Sequence, residues 1–596
     1  MSVSDPFSLT GADIARLLVP GTACLPELDA ARRDVEAWRH SPAVQEMLKA
    51  TQYHMDGLEP IPQTAYTHYR LFKRTGDRTN YETPYFTKRA RLAAAAIRLC
   101  LGQAELKDVV QDYVWAICEE TNWVVPAHEN RIIDLFAAET SFLMAELLAL
   151  LGDTLDAEIR ARVRSEIERR VFDPYLRFAP LNNWYDGHNN WTGVCNGSVA
   201  CAFLLIEPEV GRVARALEIA FVSLRAFFDK AFESDGSSTE GVGYWRYGLI
   251  NVIALSEMLR ARTNGAIDLL DSDHVRKIAA YPAKLHLSGS HFAPFSDCDD
   301  EVVFYPGTLT RLARRTGESS LLRMDMCLPP VKQPGRDFRL PMILRDMVWW
   351  DGQVRDAVPP QDDATLPIGG VARLVGRTPN DASIVLAIKA GHNAENHNQN
   401  DVGSFVLHVD GETFLTDPSR GLYSRQYFGP ERYDNIFANS YGHSVPRIGG
   451  QLQREGREFC GEIVSVAMGG ATKRVELEMA RAYAVSNLAS LRRQIVLDPS
   501  GIVTLQDTFR FAENPMPVEA AFVTWLEVKA SGGTAVIHGE RHAVRLTVES
   551  PSAASFQVER LEEQCRANAK PGLLKRITIA APAALETLVR VRMDIM

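Results

Sequence analysis

The chain has 596 residues, of which 46% are hydrophobic, and a formal net charge of −10. This length exceeds what one ordinary hydrophobic core needs, so we expect a globular protein of two or three domains. No block of lysine and arginine stands out from the acidic excess, which argues against nucleic-acid binding as the main task.

The start of the chain, MSVSDPFSLTGADIARLLVP, lacks a basic stretch followed by an apolar core and does not predict a secretory signal. The nine cysteines include no C-x-x-C pair, and their odd number leaves at least one unpaired. No apolar run reaches membrane-spanning length, so we expect no membrane partner. We therefore expect a cytoplasmic protein, or a periplasmic one if a leader has been removed.

From about residue 30 to 340, apolar residues recur at helical spacing. Short polar or Gly/Pro breaks such as FDPYLRFAPLNN and RTNGAIDLLDSD separate the apolar stripes. Two of these stripes consist of Phe136, Leu143, Leu147 and Leu150, and of Val213, Leu217, Phe221, Leu224 and Phe228. The pattern predicts successive helical hairpins in an all-helical layer structure or toroid.

Three stretches of this half carry more polar side chains than an amphipathic helix needs. Residues 65–86, AYTHYRLFKRTGDRTNYETPYF, suit stacking on sugar rings and pairing with carboxylates, or equally interdomain packing. Residues 182–198, NNWYDGHNNWTGVCNGS, are also typical of a solvated loop and a helix N-cap. Residues 234–248, SDGSSTEGVGYWRYG, could form a Gly-rich turn, which accounts less well for so many hydroxyl and charged groups.

After the proline-rich segments LPPVKQPGRDFRLP and VPPQDDATLPIGG the pattern changes to that of strands. GSFVLHVDGETFLTDP predicts a hairpin about Asp410 and Gly411, and RRQIVLDPSGIVTLQDTFRF predicts another about the turn at 498–501. TAVIHGERHAVRLTVES continues the alternation. The second half therefore predicts a large antiparallel sheet assembly in one or two layers.

One polar stretch opens this second half, ENHNQNDVGSF at residues 395–405. His397, Gln399 and Asp401 alternate, so on an extended backbone they project from the same face. The residue types suit a metal site, an acid/base site or a solvated loop.

Four motifs in order, HNNWTGVCNGS, DGSSTEGVGYWRYG, ENHNQNDVGSF with DGETFLTDPSRGLY, and NSYGHSVPRIGG, resemble the heparinase II/III-like polysaccharide lyases. The resemblance covers most of residues 60–450. It implies a multidomain α+β fold, with an incomplete (α/α) toroid at residues 1–340, a linker at 341–364 and an antiparallel β-sandwich at 365–596.

The resemblance also implies a carbon-oxygen lyase that cleaves uronic-acid-containing acidic poly- or oligosaccharides by β-elimination, without an organic cofactor. Such an enzyme must neutralise the uronate carboxylate, remove the proton at C5 and protonate the leaving oxygen on C4. Alginate, glycosaminoglycans and other uronans stay open as substrates, as do endo or exo action and a homodimeric state.

Roles follow from the matching motif positions. The resemblance implies that Asn190 neutralises the carboxylate with His188 and Asn189 beside it. Tyr247 is implied as the acid and also as a candidate base, and His397, from the sheet domain, as the base or its assistant. The implied substrate contacts are Asn189, Trp191, Glu240, Tyr244, Arg246, Arg70 and Tyr85.

In relatives that bind zinc, the resemblance places the ion at positions that here read Gln399, Asp417 and His443. An amide oxygen is a poorer zinc ligand than imidazole. One structural divalent metal, zinc or a harder cation, is therefore expected alongside the alternative of an empty hydrogen-bonded cluster.

Two other functions compete with the lyase. A glycoside hydrolase on an (α/α) scaffold would use Asp235 and Glu240 as its paired carboxylates, but it leaves His397, Asn190 and Tyr247 without a role. A non-catalytic protein that binds acidic glycans would keep the fold and lose the chemistry.

Overall fold

The computed structural model describes residues 3–21, 23–324 and 339–596. The chain forms two compact units, each with its own core. Unit 1 comprises Met1–Phe232, Tyr244–Ala279 and Val303–Asp356, and unit 2 comprises Glu233–Gly243, Ala280–Val302 and Ala357–Met596.

Unit 1 is built from helices, as the apolar period predicts. The helices are α1 (Gly11–Leu17), α2 (Pro26–Ala31), α3 (Val35–Arg39), α4 (Pro42–Ala50), α5 (Gln52–Met55), α6 (Tyr66–Thr75), α7 (Thr79–Cys100), α8 (Lys107–Cys118), α9 (Leu135–Leu151), α10 (Ala157–Ile167), α11 (Asp173–Phe178), α12 (Asn190–Ile206), α13 (Val210–Lys230), α14 (Val242–Arg262), α15 (Asp273–Leu285), α16 (Pro306–Thr316) and α17 (Leu340–Trp349). The first residues of α14 and the last of α15 belong to unit 2.

The two predicted apolar stripes lie on α9 and α13, and every residue of both stripes is buried. The side chain of Asp134 caps α9 by accepting a hydrogen bond from the amide of Ala137 at 2.7 Å. Burying one Leu or Phe side chain stabilises the fold by roughly 1.5–3 kcal/mol, so these stripes make a large part of the core of unit 1.

Helix α9 corrects one statement made from the sequence. With its continuation to Thr154 it is 20 residues long and has a mean hydropathy of 1.6, enough to cross a membrane by length and composition. In the structure 83% of that window is buried inside the protein, where α9 packs against α12. A core helix surrounded by other helices is apolar all round, just as a membrane span is.

Unit 2 consists mainly of antiparallel strands and the short helix α18 (Glu562–Ala567). The strands are β1 (His286–Ser288), β2 (His291–Phe292), β3 (Ala364–Leu366), β4 (Val371–Arg377), β5 (Ser383–Lys389), β6 (Gly391–Asn393), β7 (Phe405–Val409), β8 (Glu412–Leu415), β9 (Arg447–Ile448), β10 (Gly456–Ala467), β11 (Lys473–Glu478), β12 (Leu488–Leu497), β13 (Val503–Phe511), β14 (Val518–Thr524), β15 (Glu527–Ser531), β16 (Thr534–His538), β17 (Ala543–Ser550), β18 (Phe556–Arg560), β19 (Lys575–Ala581) and β20 (Glu586–Ile595).

These strands form a nine-stranded, a five-stranded, a four-stranded and a two-stranded sheet. Their orders are β15-β16-β17-β20-β13-β12-β11-β10-β6, β3-β4-β5-β7-β8, β18-β19-β14-β9 and β1-β2. One apolar cluster joins the three larger sheets through residues such as Leu386, Leu407, Leu505, Phe522 and Val591. Alternate burial along β12 and β13 shows that the nine-stranded sheet buries one face and exposes the other.

The predicted hairpins are confirmed. Strands β7 and β8 pair with Val409 opposite Glu412, and β12 pairs with β13 with Leu497 opposite Val503. Asp410 and Gly411 have φ angles of 45° and 87°, the left-handed conformations that a tight two-residue turn requires.

The division of the chain differs from the predicted boundaries in two ways. Helix α17 occupies the start of the predicted linker 341–364, because its apolar residues pack into unit 1. Segments 233–243 and 280–302 join unit 2, where Arg373 donates to the carbonyl oxygen of His286 at 3.2 Å. The proline-rich segment LPPVKQPGRDF lies outside the described residues.

Candidate active site

In unit 1, the first predicted motif forms the beginning of α12. Asn189 has extended φ and ψ angles of −137° and 176°, and its side chain accepts a hydrogen bond from the amide of Trp191 at 3.2 Å. Asn190 is therefore the first helical residue, and it is buried at 1% exposure, whereas His188 before the cap is exposed. The predicted helix cap is thus confirmed, and the functional role of this stretch stays a prediction.

Glycines in the same motif allow α12 to contact α14 backbone to backbone. A Cβ atom on Gly193 would lie 2.4 Å from the carbonyl oxygen of Gly248, and one on Gly197 would lie 2.9 Å from Asn251. A Cβ atom on Gly248 would lie 3.2 Å from the Cα of Asn190. This packing places Asn190 beside the residue that follows Tyr247.

Tyr247 is held by two charged residues. Its hydroxyl donates to Glu139 Oε2 at 3.1 Å, and Arg339 Nε donates to the other oxygen of Glu139 at 2.6 Å. The Arg339 guanidinium lies 4.9 Å from the centre of the Tyr247 ring. Burial and the negative charge of Glu139 raise the pKa of Tyr247 well above its usual value. The hydroxyl therefore keeps its proton at neutral pH and suits the role of a proton donor.

Tyr85 is a correction to the predicted substrate contacts. It is fully buried, and its hydroxyl donates to the carbonyl oxygen of Trp123 at 2.8 Å. It lines a cavity of about 50 Å³. Ligand sites usually have about 300–1,000 Å³, so this cavity does not admit a sugar ring. At this position the tyrosine belongs to the packed core, because most of the surface of α7 is buried.

The other predicted contacts of unit 1 are more accessible. Arg70 pairs with Glu129 at 2.8 Å on the surface, and Trp191 is half-buried with its ring centre 4.6 Å from that of His128. Tyr244 and Arg246 are half-buried, and the guanidinium of Arg246 donates to a backbone carbonyl.

In unit 2, the stretch that carries His397 is a turn and not an extended strand. His397 has a φ angle of 57°, so the extended backbone on which His397, Gln399 and Asp401 were predicted to share a face is absent here, although His397 and Gln399 both contact Asp297. His397 Nδ1 lies 3.0 Å from Asp297 Oδ2, and His397 Nε2 lies 3.5 Å from Glu240 Oε1. The imidazole thus has a carboxylate at each nitrogen.

Asp297 is the centre of a buried hydrogen-bond network. It accepts hydrogen bonds from Arg432 Nη2 at 3.0 and 3.1 Å, from the hydroxyl of Tyr427 at 2.9 Å and from that of Tyr423 at 3.2 Å. Burial alone would raise the pKa of Asp297, but the hydrogen bond and charge of His397 and the charge of Arg432 outweigh it and lower this pKa to about 2. Asp297 is therefore a carboxylate at any ordinary pH.

The predicted metal residues Asp417 and His443 do come together, and Asp401 joins them. One ligand atom from each lies within 4.8 Å of the others. We call these three residues the carboxylate–histidine cluster. His443 Nδ1 lies 2.9 Å from Asp417 Oδ2, whereas Lys389 Nζ donates to Asp401 Oδ1 at 2.6 Å.

Two atoms of this cluster are available as ligands for a cation. Among the described residues, His443 Nε2 and Asp401 Oδ2 are buried with no hydrogen-bond partner. One imidazole nitrogen and carboxylate oxygens fit a divalent metal such as zinc. Gln399 donates its amide nitrogen to Ser296 O at 2.9 Å and to Asp297 Oδ1 at 3.2 Å, whereas its buried Oε1 has no hydrogen-bond partner among the described residues, so Gln399 stays a candidate ligand beside the cluster.

Four residues with central positions were missed by the sequence analysis, namely Glu139, Arg339, Asp297 and Arg432. Glu139 and Glu146 are the two acidic residues of the apolar helix α9, and a lone acid in such a helix predicts a buried partner. Asp297 begins the acidic run DCDDE, which the analysis did not single out.

Solved structures of polysaccharide-degrading enzymes share this fold. A heparinase III matches with a TM-score of 0.63 and 13% identity, covering 99% of this chain and 94% of that protein. A second heparinase III gives 0.62 and 12%, covering 98% and 93%, and a mutant of the heparan sulfate lyase HepC from Pedobacter heparinus gives 0.61 and 12%, covering 95% and 87%.

No family model matches the sequence, and no curated protein matches it significantly. At such low identity the structural likeness establishes the fold alone. The expected toroid followed by an antiparallel β-sandwich, and the resemblance that predicted it, are thus confirmed at the level of fold.

Proposed function

We propose that this protein is a polysaccharide lyase that cleaves uronic-acid-containing glycans by β-elimination. The shared fold supports a lyase, because the matching structures are named heparinase III and heparan sulfate lyase. Heparan-type glycosaminoglycans are therefore the first substrates to test, followed by alginate and other uronans. The observation that carries the proposal is the contact of the Tyr247 hydroxyl with Glu139, because Tyr247 lies on α14 where that helix packs against Asn190.

The roles follow from the chemistry of each group. Asn190 donates its side-chain amide to the uronate carboxylate, which stabilises the charge that develops when C5 loses its proton. Tyr247 protonates the leaving oxygen on C4, since its raised pKa keeps the hydroxyl protonated at neutral pH and therefore leaves it with a proton to donate. His397 accepts the proton from C5.

The carboxylate–histidine cluster would hold one divalent cation. Such an ion would offset the negative charges of Asp401 and Asp417 and so link the two ends of the β7–β8 hairpin. No step of the reaction passes through it, because its role is structural.

The hydrolase alternative is weaker because Asp235 is already engaged. Its Oδ2 accepts the backbone amides of Ile368 at 2.8 Å and Gly369 at 3.3 Å, and its Oδ1 accepts the amide of Ser237 at 3.0 Å. Burial raises the pKa of Asp235, but these hydrogen bonds outweigh it and lower the pKa. A hydrolase needs one carboxyl with a raised pKa as its general acid.

One experiment separates the three functions. The protein is incubated with heparan sulfate, alginate and other uronans, and near-ultraviolet absorbance and reducing ends are both followed. Elimination produces the absorbance of an unsaturated uronate, whereas hydrolysis produces reducing ends without that absorbance. Binding without either product would favour the non-catalytic glycan-binding protein and refute the lyase.

A further inference from the structure

A groove of about 930 Å³ lies on the exposed face of the nine-stranded sheet of unit 2. Strands β11, β12 and β13 form its floor, and the segment 480–489 borders it. Its volume falls in the range of about 300–1,000 Å³ that is usual for ligand sites. None of these strands carries a residue of the candidate active site or of the carboxylate–histidine cluster. We call this groove the sheet groove.

The floor of the sheet groove consists of polar side chains from neighbouring strands. Gln494 lies opposite Gln506, and Arg492 lies opposite Thr508. Alternate residues of a strand point to the same face, so these four side chains share the solvent side of the sheet. Gln494, Gln506 and Thr508 are half-buried, and within the described ranges their side chains have no hydrogen-bond partner. Their donors and acceptors are therefore open to a ligand.

The two carboxylates that line the groove are already engaged. Glu478 accepts hydrogen bonds from the amide of Leu491 at 2.9 Å and from the hydroxyl of Ser490 at 2.6 Å. Glu476 accepts from Arg492 Nη1 at 2.8 Å. Both negative charges are thus satisfied by groups of the protein itself.

Two arginines of the groove have no such strong partner. Arg481 is exposed and forms no ion pair with any residue that the structure describes. Arg510 Nε lies 3.4 Å from Glu586 Oε2, but the two side chains are 63% and 64% exposed, and ion pairs this accessible contribute little. A guanidinium binds a carboxylate or sulfate through two parallel hydrogen bonds. The groove is therefore complementary to a ligand that carries acidic groups.

We propose that the sheet groove is a non-catalytic binding site for an acidic oligosaccharide. Sugar hydroxyls both donate and accept hydrogen bonds, which matches the side-chain amides of Gln494 and Gln506. The acidic groups of the sugar bind Arg481 and Arg510. This inference goes beyond the proposed function and does not depend on it, since it gives unit 2 a binding role that needs no elimination.

The topology of the sheet favours a glycan over a protein segment. A peptide that binds a sheet through its backbone adds a strand at the edge. Strands β11, β12 and β13 are interior strands, and each is paired on both sides. The groove therefore offers side chains and no unpaired strand edge. A ligand with many hydroxyl groups uses such a surface better than a peptide backbone does.

The test measures binding to the full chain, in a Tyr247→Phe background that prevents cleavage. Calorimetry with hexasaccharides of heparan sulfate and of alginate gives the number of sites and each Kd. We expect the double variant Arg481→Ala/Arg510→Ala to lose one site, or to weaken it by at least about tenfold. The matched control, Arg377→Ala/Arg545→Ala, removes two exposed arginines of unit 2 that lie outside the groove and should bind as the parent does.

A second variant separates recognition of hydroxyls from general attraction of anions. Gln494→Ala/Gln506→Ala keeps every charge and should weaken binding of the acidic hexasaccharides by at least about threefold, while a hexaglutamate peptide should bind it no differently from the parent. If the arginine variant does not fold, which thermal unfolding shows, the glutamine variant decides alone.

Three results would overturn the proposal. The first is that neither acidic hexasaccharide binds, or that the groove variants bind both as the parent does. The second is an equal loss in the control variant, which would mean attraction by overall charge. The third is a hexaglutamate peptide that binds the groove as tightly as the glycans, which would make the occupant an acidic protein segment. Absence of elimination by wild type would refute the proposed function and leave these binding results unchanged, so the two failures are distinguishable.

Discussion

Replacing Tyr247 with phenylalanine separates chemistry from stability. The change removes one hydrogen bond of 3.1 Å to Glu139, whose other oxygen still accepts from Arg339 at 2.6 Å. A single hydrogen bond contributes about 1 kcal/mol net to folding, and the ring keeps its place beside the guanidinium. We therefore expect the free energy of unfolding to fall by about 1 kcal/mol. The loss of the proton donor should lower kcat by about 10²–10⁴, or about 3–5 kcal/mol of transition-state stabilisation.

The matched control is Tyr85→Phe, for which we expect the opposite result. Its hydroxyl is fully buried, and removing it leaves the carbonyl oxygen of Trp123 without that donor. An unsatisfied buried acceptor costs about 1–3 kcal/mol, so unfolding should become easier. Because Tyr85 lies in the core and not at the substrate, kcat should stay unchanged.

Both variants are measured by urea unfolding and by the initial rate of unsaturated product formation on one confirmed substrate. If Tyr247→Phe keeps kcat within about threefold of wild type, the hydroxyl does not transfer the proton and our assignment fails. If Tyr85→Phe loses activity at unchanged stability, the sequence prediction of a substrate contact was right and the correction is wrong.

Three further predictions address packing, pH and metal. Gly193→Ala puts a Cβ atom 2.4 Å from the carbonyl oxygen of Gly248 and should destabilise the protein by about 1–3 kcal/mol in thermal unfolding, whereas Gly211→Ala, with ordinary contacts, should be nearly neutral. Burial and two neighbouring histidines lower the pKa of His408 to about 3, below its unfolded value of about 6.5. The unfolded chain therefore binds the proton first, and stability should fall as the pH drops below about 6.5, by about 2 kcal/mol at pH 5; urea unfolding of His408→Gln should lack this part of the slope. If the carboxylate–histidine cluster binds a metal, a chelator should lower the melting temperature of wild type but not that of Asp401→Asn. If elemental analysis finds no metal in wild type, the cation is removed from the proposal.

The amino-acid sequence determined the elements whose information is local. Helical spacing of apolar residues predicted the buried stripes of α9 and α13, and a strand pattern around Asp410 and Gly411 predicted the β7–β8 hairpin and its turn. The sequence also determined where polar groups concentrate. Asn189 and Asn190 mark the start of a helix, and this signal does not depend on where the helix packs. Such features depend on neighbours a few residues away, so the spacing of apolar and polar residues along the chain is enough to encode them.

The tertiary structure decided which of those polar groups act together. Asp297 and His397 are separated by 100 positions, and their contact depends on segment 280–302 joining unit 2, which no local period predicts. The left-handed turn at His397 also replaced the extended backbone that the sequence suggested, although the side chains of His397 and Gln399 both reach the carboxylate of Asp297. The burial of Tyr85 was also not predicted from the sequence. Residue spacing shows which face of a helix a side chain lies on, but it does not show which other elements cover that face. Long-range packing alone determines the partner of each buried group, and the partner determines whether that group carries chemistry or holds the fold.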